Sequence, residues 1–202
     1  MLPATIYRDF PTQAKILGSF IVLIWLLEIV DQLLLQHRLN QLGIRPRTQI
    51  GLRGILFAPL LHGTWSHLSA NTVPLVVLGW FVLLRGREEF AIVTAAVWLV
   101  SGLGVWLFAA TRSLHIGASG IVFGYFGFLL LRSYFEQDLL SAAISLVVLV
   151  LYGPLIWGVL PTRRSISWQG HLFGFVGGGL AARYLPQLQQ WLEMIQTKLN
   201  LS

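Results

Sequence analysis

The distribution of apolar residues constrains this chain more than any motif in it. A helix needs about 20 mostly apolar residues to cross a bilayer, and such runs occur at 16–36, 67–84, 90–111, 117–133, 139–160 and 169–185. The fourth and sixth are short and rich in glycine. Composition agrees: 55% of residues are hydrophobic and only 11% are charged, where a soluble domain of this length carries about a quarter charged residues. The mean hydropathy is +0.71. The chain therefore reads as all-α, a polytopic membrane bundle of six transmembrane helices.

Residues 1–15 read as an N-terminal cytoplasmic segment. They hold Asp9 and no compact apolar core, unlike a cleaved signal peptide. The membrane domain is expected over 16–185. It contains a long first loop, 37–66, whose four arginines are joined by the apolar stretch GILFAPLL, so it is expected to be partly embedded. After Pro186, residues Leu188, Trp191, Leu192, Ile195 and Leu199 recur at helical spacing. The segment 186–202 is therefore an amphipathic tail lying on the lipid surface, or else a frayed polar end. The formal charge of +6 does not point to nucleic acid, because the basic residues lie in short gaps between apolar runs and form no patch interleaved with aromatics. With the N-terminus inside, the 14 Lys and Arg divide equally between the two sides. Discounting the four arginines of the first loop tips the balance towards that orientation. The chain has no cysteine, which removes disulfides and thiolate metal sites. No internal repeat supports a repeat-built transporter.

Polar residues enter the second, fourth and sixth runs near their starts: His67 and Asn71, Ser119, and His171. In an up-and-down path the even-numbered helices all begin on one face, so these four groups are expected at similar shallow depth. Polar groups within a bilayer are costly and usually functional. Glycines indicate which helices touch. Ser119, Gly120, Gly124 and Gly127 line one face of the fourth run, and Gly170, Gly174 and Gly178 recur every four residues in the sixth. Small residues at that spacing let membrane helices approach closely, which would bring Ser119 to His171. Packing alone would explain the glycines but not the matching depth of a serine and a histidine.

That pair suits nucleophilic catalysis. A serine hydroxyl is a poor nucleophile until a neighbouring base takes its proton, and a neutral imidazole is such a base. Acyl transfer also needs donors aimed at the developing oxyanion. His67 and Asn71, one turn apart, and the Ser119 amide at a helix start are candidates.

At these positions the chain resembles the rhomboid family of intramembrane serine proteases. GASG at 117–120 is similar to the family's nucleophile motif, in which Gly117 precedes the serine. GHLFGFVGG at 170–178 resembles the motif of its sixth helix, and HGTWSHLSAN at 62–71 that of its second. The resemblance covers about residues 50–185. It implies a Ser119–His171 dyad, an oxyanion hole from His67, Asn71 and the Ser119 amide, and hydrolysis of peptide bonds in or beside transmembrane helices of membrane-protein substrates, with no cofactor and no metal. It also implies a bacterial plasma membrane with the site opening to the extracytoplasmic side. Two departures stand out. Phe123 occupies a position that is often tyrosine in the family and stacks on the catalytic histidine, and the family's frequent Trp-Arg pair appears only as Leu52-Arg53.

A helix hides its carbonyls in internal hydrogen bonds, so substrates with locally weak helices are expected. Gly153-Pro154 followed by Trp157, near the end of the fifth run, reads as a lateral substrate gate or as an ordinary kink with an interfacial tryptophan. Glu28 and Asp31 in the first run suggest ion handling, or an anchor for the first loop through an arginine. Two other functions stay open: a non-catalytic rhomboid-like protein that binds membrane helices, and a small transporter using Glu28 and His171.

Overall fold

The computed structural model describes residues 4–161 and 167–200. Within these residues six long helices are built from the six apolar runs: α1 (Ala4–Leu33), α2 (Trp65–Leu83), α3 (Arg87–Phe108), α4 (Ser119–Glu136), α5 (Leu139–Tyr152) and α6 (Trp168–Asn200). Among the described residues there is no β-strand, only one antiparallel bridge between Ile44 and His115. The all-α membrane bundle is thus the observed fold. Among the described residues, four segments are long and apolar enough to cross a membrane: Phe10–Leu33, Trp65–Leu83, Arg87–Phe108 and Leu139–Val159. The two remaining long helices are the glycine-bearing α4 and α6. Helix α4 lies inside the bundle, with every residue from Ile121 to Leu129 buried, and its broadest interface is with α6.

Local chemistry sets three of the helix starts. The Thr64 hydroxyl caps α2 by accepting from the His67 amide at 3.1 Å. Gly86, at φ +125°, turns α2 into α3. Asp138 caps α5 by accepting from the Ser141 amide at 3.1 Å. Prolines mark helix ends less well than the sequence suggests. Helix α1 begins at Ala4, twelve residues before the apolar run, and contains Pro11. Helix α6 passes through Pro186 and continues to Asn200, so the segment after Pro186 extends the sixth helix. At ~1.5 Å per residue, its 33 residues exceed the ~30 Å hydrocarbon core. In contrast, Gly153-Pro154 ends α5, and the chain tightens into a 3₁₀ segment over Gly153–Val159.

The first loop is stapled to α3. Trp106 Nε1 donates to the Thr48 carbonyl at 2.9 Å, Trp98 Nε1 to the Ile55 carbonyl at 2.7 Å, and Arg47 to the Leu107 carbonyl at 2.7 Å. Its Ile50, Leu52, Leu56 and Phe57 remain exposed. The anchor at its start differs from the arginine bridge expected for Asp31. The Asp31 carboxylate accepts from the backbone amide of Leu39 at 2.8 Å, and Glu28 accepts from Gln32 at 2.6 Å. A backbone donor fits because the chain turns sharply there, with Gln36 and His37 at positive φ.

At the end of the bundle remote from Ser119, charged side chains pair with one another. Buried Arg132 on α4 holds Glu89 of α3 through both carboxylate oxygens and Glu136 one turn on. Nearby, Arg85 donates to Asp138 at 2.8 Å and to Ser141 at 2.6 Å.

Candidate active site

Close helix packing positions the site. A methyl group on Gly174 would collide with the Gly120 carbonyl, and one on Gly178 with the Gly124 carbonyl. Bare backbone of α6 therefore lies against bare backbone of α4, a separation that larger residues would forbid. Gly120 also faces the Ser101 hydroxyl, which donates to the Gly170 carbonyl at 3.0 Å and joins α3 to α6. Gly127 faces the Phe175 backbone.

Ser119 is the first residue of α4 and His171 lies in the first turn of α6. Their side chains meet, with Oγ 3.0 Å from Nε2. His171 Nδ1 lies 3.0 Å from the Gly158 carbonyl. A carbonyl only accepts, so Nδ1 carries the ring proton of the neutral imidazole, and the Nε2 lone pair faces the serine hydroxyl. Phe123 stacks on the imidazole at 3.9 Å between centroids and 5° between planes. His171 is 8% exposed. The ring is thus held on one face by Phe123 and at one edge by backbone, with its basic nitrogen directed at Ser119.

His67 and Asn71 flank the nucleophile loop. Gly117 adopts φ +115°, and a side chain there would meet His67 Cε1 at 2.5 Å and Nε2 at 2.7 Å, with Asn71 Nδ2 3.7 Å away. Glycine is required here twice, for its backbone and for its lack of bulk. Asn71 is 5% exposed, and its Nδ2 has no hydrogen-bond partner among the described residues. A buried amide donor without a partner costs on the order of 1–3 kcal/mol, so its retention beside the loop calls for a role. As the first helical residue, Ser119 also has a backbone amide without an intrahelical acceptor.

Three further residues contribute that the sequence reading did not single out. His62 is fully buried, accepts from the Ala118 amide at 3.4 Å, and packs edge-on to His67 with centroids 5.1 Å apart. Burial and then the neighbouring His67 lower its pKa from the usual 6.5 to about 3. Gly158 supplies the carbonyl to His171, and a methyl group there would lie 2.6 Å from the Phe123 ring. Ser101 is the third. The place of His62 at the head of HGTWSHLSAN could have drawn attention to it, whereas Ser101 and Gly158 look like any small residue of a membrane helix. A cavity of about 30 Å³ lies beside Ser119, lined in part by Ser101, His115, Ser167 and Gly170. Trp157 stands apart from the pair, 68% exposed on the 3₁₀ segment. Among the described residues no cluster of His, Asp or Glu is suited to a metal ion.

The fold and site together define a polytopic helical membrane protein with a serine–imidazole pair at the mouth of its central helix. Comparison with known proteins gives the particular family. The Rhomboid domain profile matches residues 51–187. The chain is 45% identical over 175 residues to an uncharacterized protein of Mycobacterium tuberculosis, a match that covers 83% of this chain and 72% of that protein. It is 29% identical over 124 residues to the putative rhomboid protease YdcA of Bacillus subtilis, covering 60% and 61% of the two chains. Rhomboid-type serine protease 2 of Yarrowia lipolytica is 30% identical over 145 residues, covering 67% and 48%. The chain belongs to the rhomboid family and is an integral membrane protein.

Proposed function

We propose that this protein is an intramembrane serine protease that hydrolyses peptide bonds in or near the transmembrane helices of membrane-protein substrates. The observation that carries the proposal is the 3.0 Å approach of Ser119 Oγ to His171 Nε2, with the opposite ring nitrogen committed to Gly158. In the proposed reaction Ser119 Oγ attacks the scissile carbonyl carbon while His171 Nε2 takes the hydroxyl proton. Asn71 Nδ2, His67 and the Ser119 amide donate to the oxyanion. The imidazolium then protonates the leaving amine, and the C–N bond breaks to leave an acyl-enzyme. Water, deprotonated by His171, releases the acyl group. The cavity beside Ser119 has room for water.

Substrate backbone must be unwound to expose its carbonyl, so the substrates proposed are single helices weakened by Gly, Pro or small residues near the cut. Trp157 is proposed as part of a lateral gate, supported by its exposure and by its place beside Gly158. Residence in a bacterial plasma membrane, with the site facing the extracytoplasmic side, completes the reading.

The test is cleavage of a tagged single-span substrate in reconstituted vesicles. Wild type is expected to cut and Ser119→Ala to leave the substrate intact. Cutting retained by Ser119→Ala would exclude this nucleophile. Replacing the substrate's helix-weakening residues with leucine is expected to slow the reaction, and an unchanged rate would remove the unwinding requirement.

A further inference from the structure

His115 lies four residues before Ser119, and Ser167 lies four residues before His171. Their side chains meet as well: His115 Nδ1 is 2.7 Å from Ser167 Oγ. The two chain segments that carry Ser119 and His171 are therefore joined by two rungs, each four residues from the other. The second rung is directional. The Ser113 hydroxyl donates to the Ala110 carbonyl at 2.5 Å, which spends its proton. Ser113 Oγ then accepts from His115 Nε2–H at 2.7 Å. Burial lowers the His115 pKa below the usual 6.5, so the ring is neutral near pH 7. Its Nδ1 is thus left as an acceptor for the Ser167 hydroxyl.

Both ends of this rung are fixed to the frame. The His115 backbone exchanges two hydrogen bonds with Ile44 of the first loop, at 2.9 and 3.0 Å. Two residues on, the Gly117 amide donates to the Ala58 carbonyl of the same loop at 2.8 Å. On the other side the Ser167 carbonyl accepts from the His171 amide at 3.2 Å, which makes it part of the first turn of α6. Moving His115 relative to Ser167 therefore moves Ser119 relative to His171.

We infer that His115 is a positioning residue: its imidazole bridges the nucleophile loop to the start of α6 and sets the Ser119–His171 spacing. This rests on the protease reading above. The bridge predicts an effect on turnover with little effect on substrate capture, because the reacting geometry changes and the substrate's approach does not. A misplacement near 1 Å can cost about 10²-fold in rate, and Ser101 still holds α6 by its bond to Gly170. The expected loss in His115→Phe is therefore about tenfold in kcat, with KM within about twofold.

The test measures cleavage kinetics and the rate of fluorophosphonate labelling in vesicles for wild type, His115→Phe, Ser167→Ala and the double variant. The two single losses are expected to match, and the double variant to lose no more than either. His115→Asn places an acceptor where Nδ1 stood and is expected to restore most of the rate. His115→Gln keeps only the Ser113 end and is expected to stay slow. Equal rescue by both, full additivity in the double variant, or a rise in KM alone would overturn the inference. Labelling that requires Ser119 but is unchanged by His115→Phe would overturn the bridge and leave the nucleophile standing. Wild type that fails to label would overturn the nucleophile, and the bridge's role with it.

Discussion

Asn71 carries an unspent donor in a place where burial makes unspent donors costly. If it and His67 bind the oxyanion, Asn71→Ala and His67→Ala should each lower kcat by up to ~10²–10³ with little change in stability. A loss near twofold, measured with the same single-span substrate, would make them packing residues. Their nearness to the nucleophile loop was legible because both are polar side chains at i and i+4 at a span start. The nearness of Ser119 to His171 was legible from matching depth and glycine spacing. Gly158 was not, since it acts through a carbonyl that every residue possesses. His62 escaped for another reason: it precedes α2 and lies five residues from His67, outside the helical register that drew attention to the other two. Phe123 keeps an aromatic face on His171, so stacking does not need the hydroxyl its family often carries.

Between elements, the glycine ladder of α4 and α6 could be read from spacing because close approach demands small residues at every fourth position. Helix ends could not be read as well. Pro11 and Pro186 lie within helices, whereas Pro154 ends one. A proline removes one backbone donor, and in a membrane bundle neighbouring structure decides whether the helix survives that loss. Pro154 follows Gly153, and the pair together shift the chain into the tighter 3₁₀ form. This segment carries both Trp157 and the Gly158 carbonyl that orients His171. If the tryptophan closes a lateral entrance, Trp157→Ala should speed cleavage in membranes several-fold. An unchanged or slower rate would leave Trp157 as an interfacial anchor. Asp31 illustrates a different limit: sequence suggested that an acidic group holds the first loop, but an amide partner, Leu39 N–H, is invisible in a list of side chains.

Across the whole molecule, polar chemistry divides between two ends. At one end are Ser119, His171, His67, Asn71 and the buried His62; at the other, Arg132, Glu89, Glu136, Arg85 and Asp138 pair off their charges. Removing Arg132 alone would strand the buried Glu89 carboxylate, a defect of about 3–5 kcal/mol. Acid should weaken both ends in the same direction. His62 has a folded pKa of about 3 against the usual 6.5, and His115 is shifted the same way. The unfolded chain therefore takes up protons that the folded protein refuses. Their contribution is complete above pH 6.5 and is lost progressively as pH falls towards 3. The Asp138 carboxylate, held below its usual 3.8 by Ser141 and then by Arg85, adds a loss on acidification below that value. The Tm of the protein in detergent should therefore fall between pH 7 and pH 4, and a flat profile would contradict these assignments.

The most direct test of the central claim is mass spectrometry of the intact protein after exposure to a fluorophosphonate in membranes. A single covalent adduct mapped to Ser119, and abolished by His171→Ala, is the expected result. An unmodified Ser119 under conditions that label a known serine hydrolase, or labelling of Ser119 that proceeds as fast without His171, would contradict it.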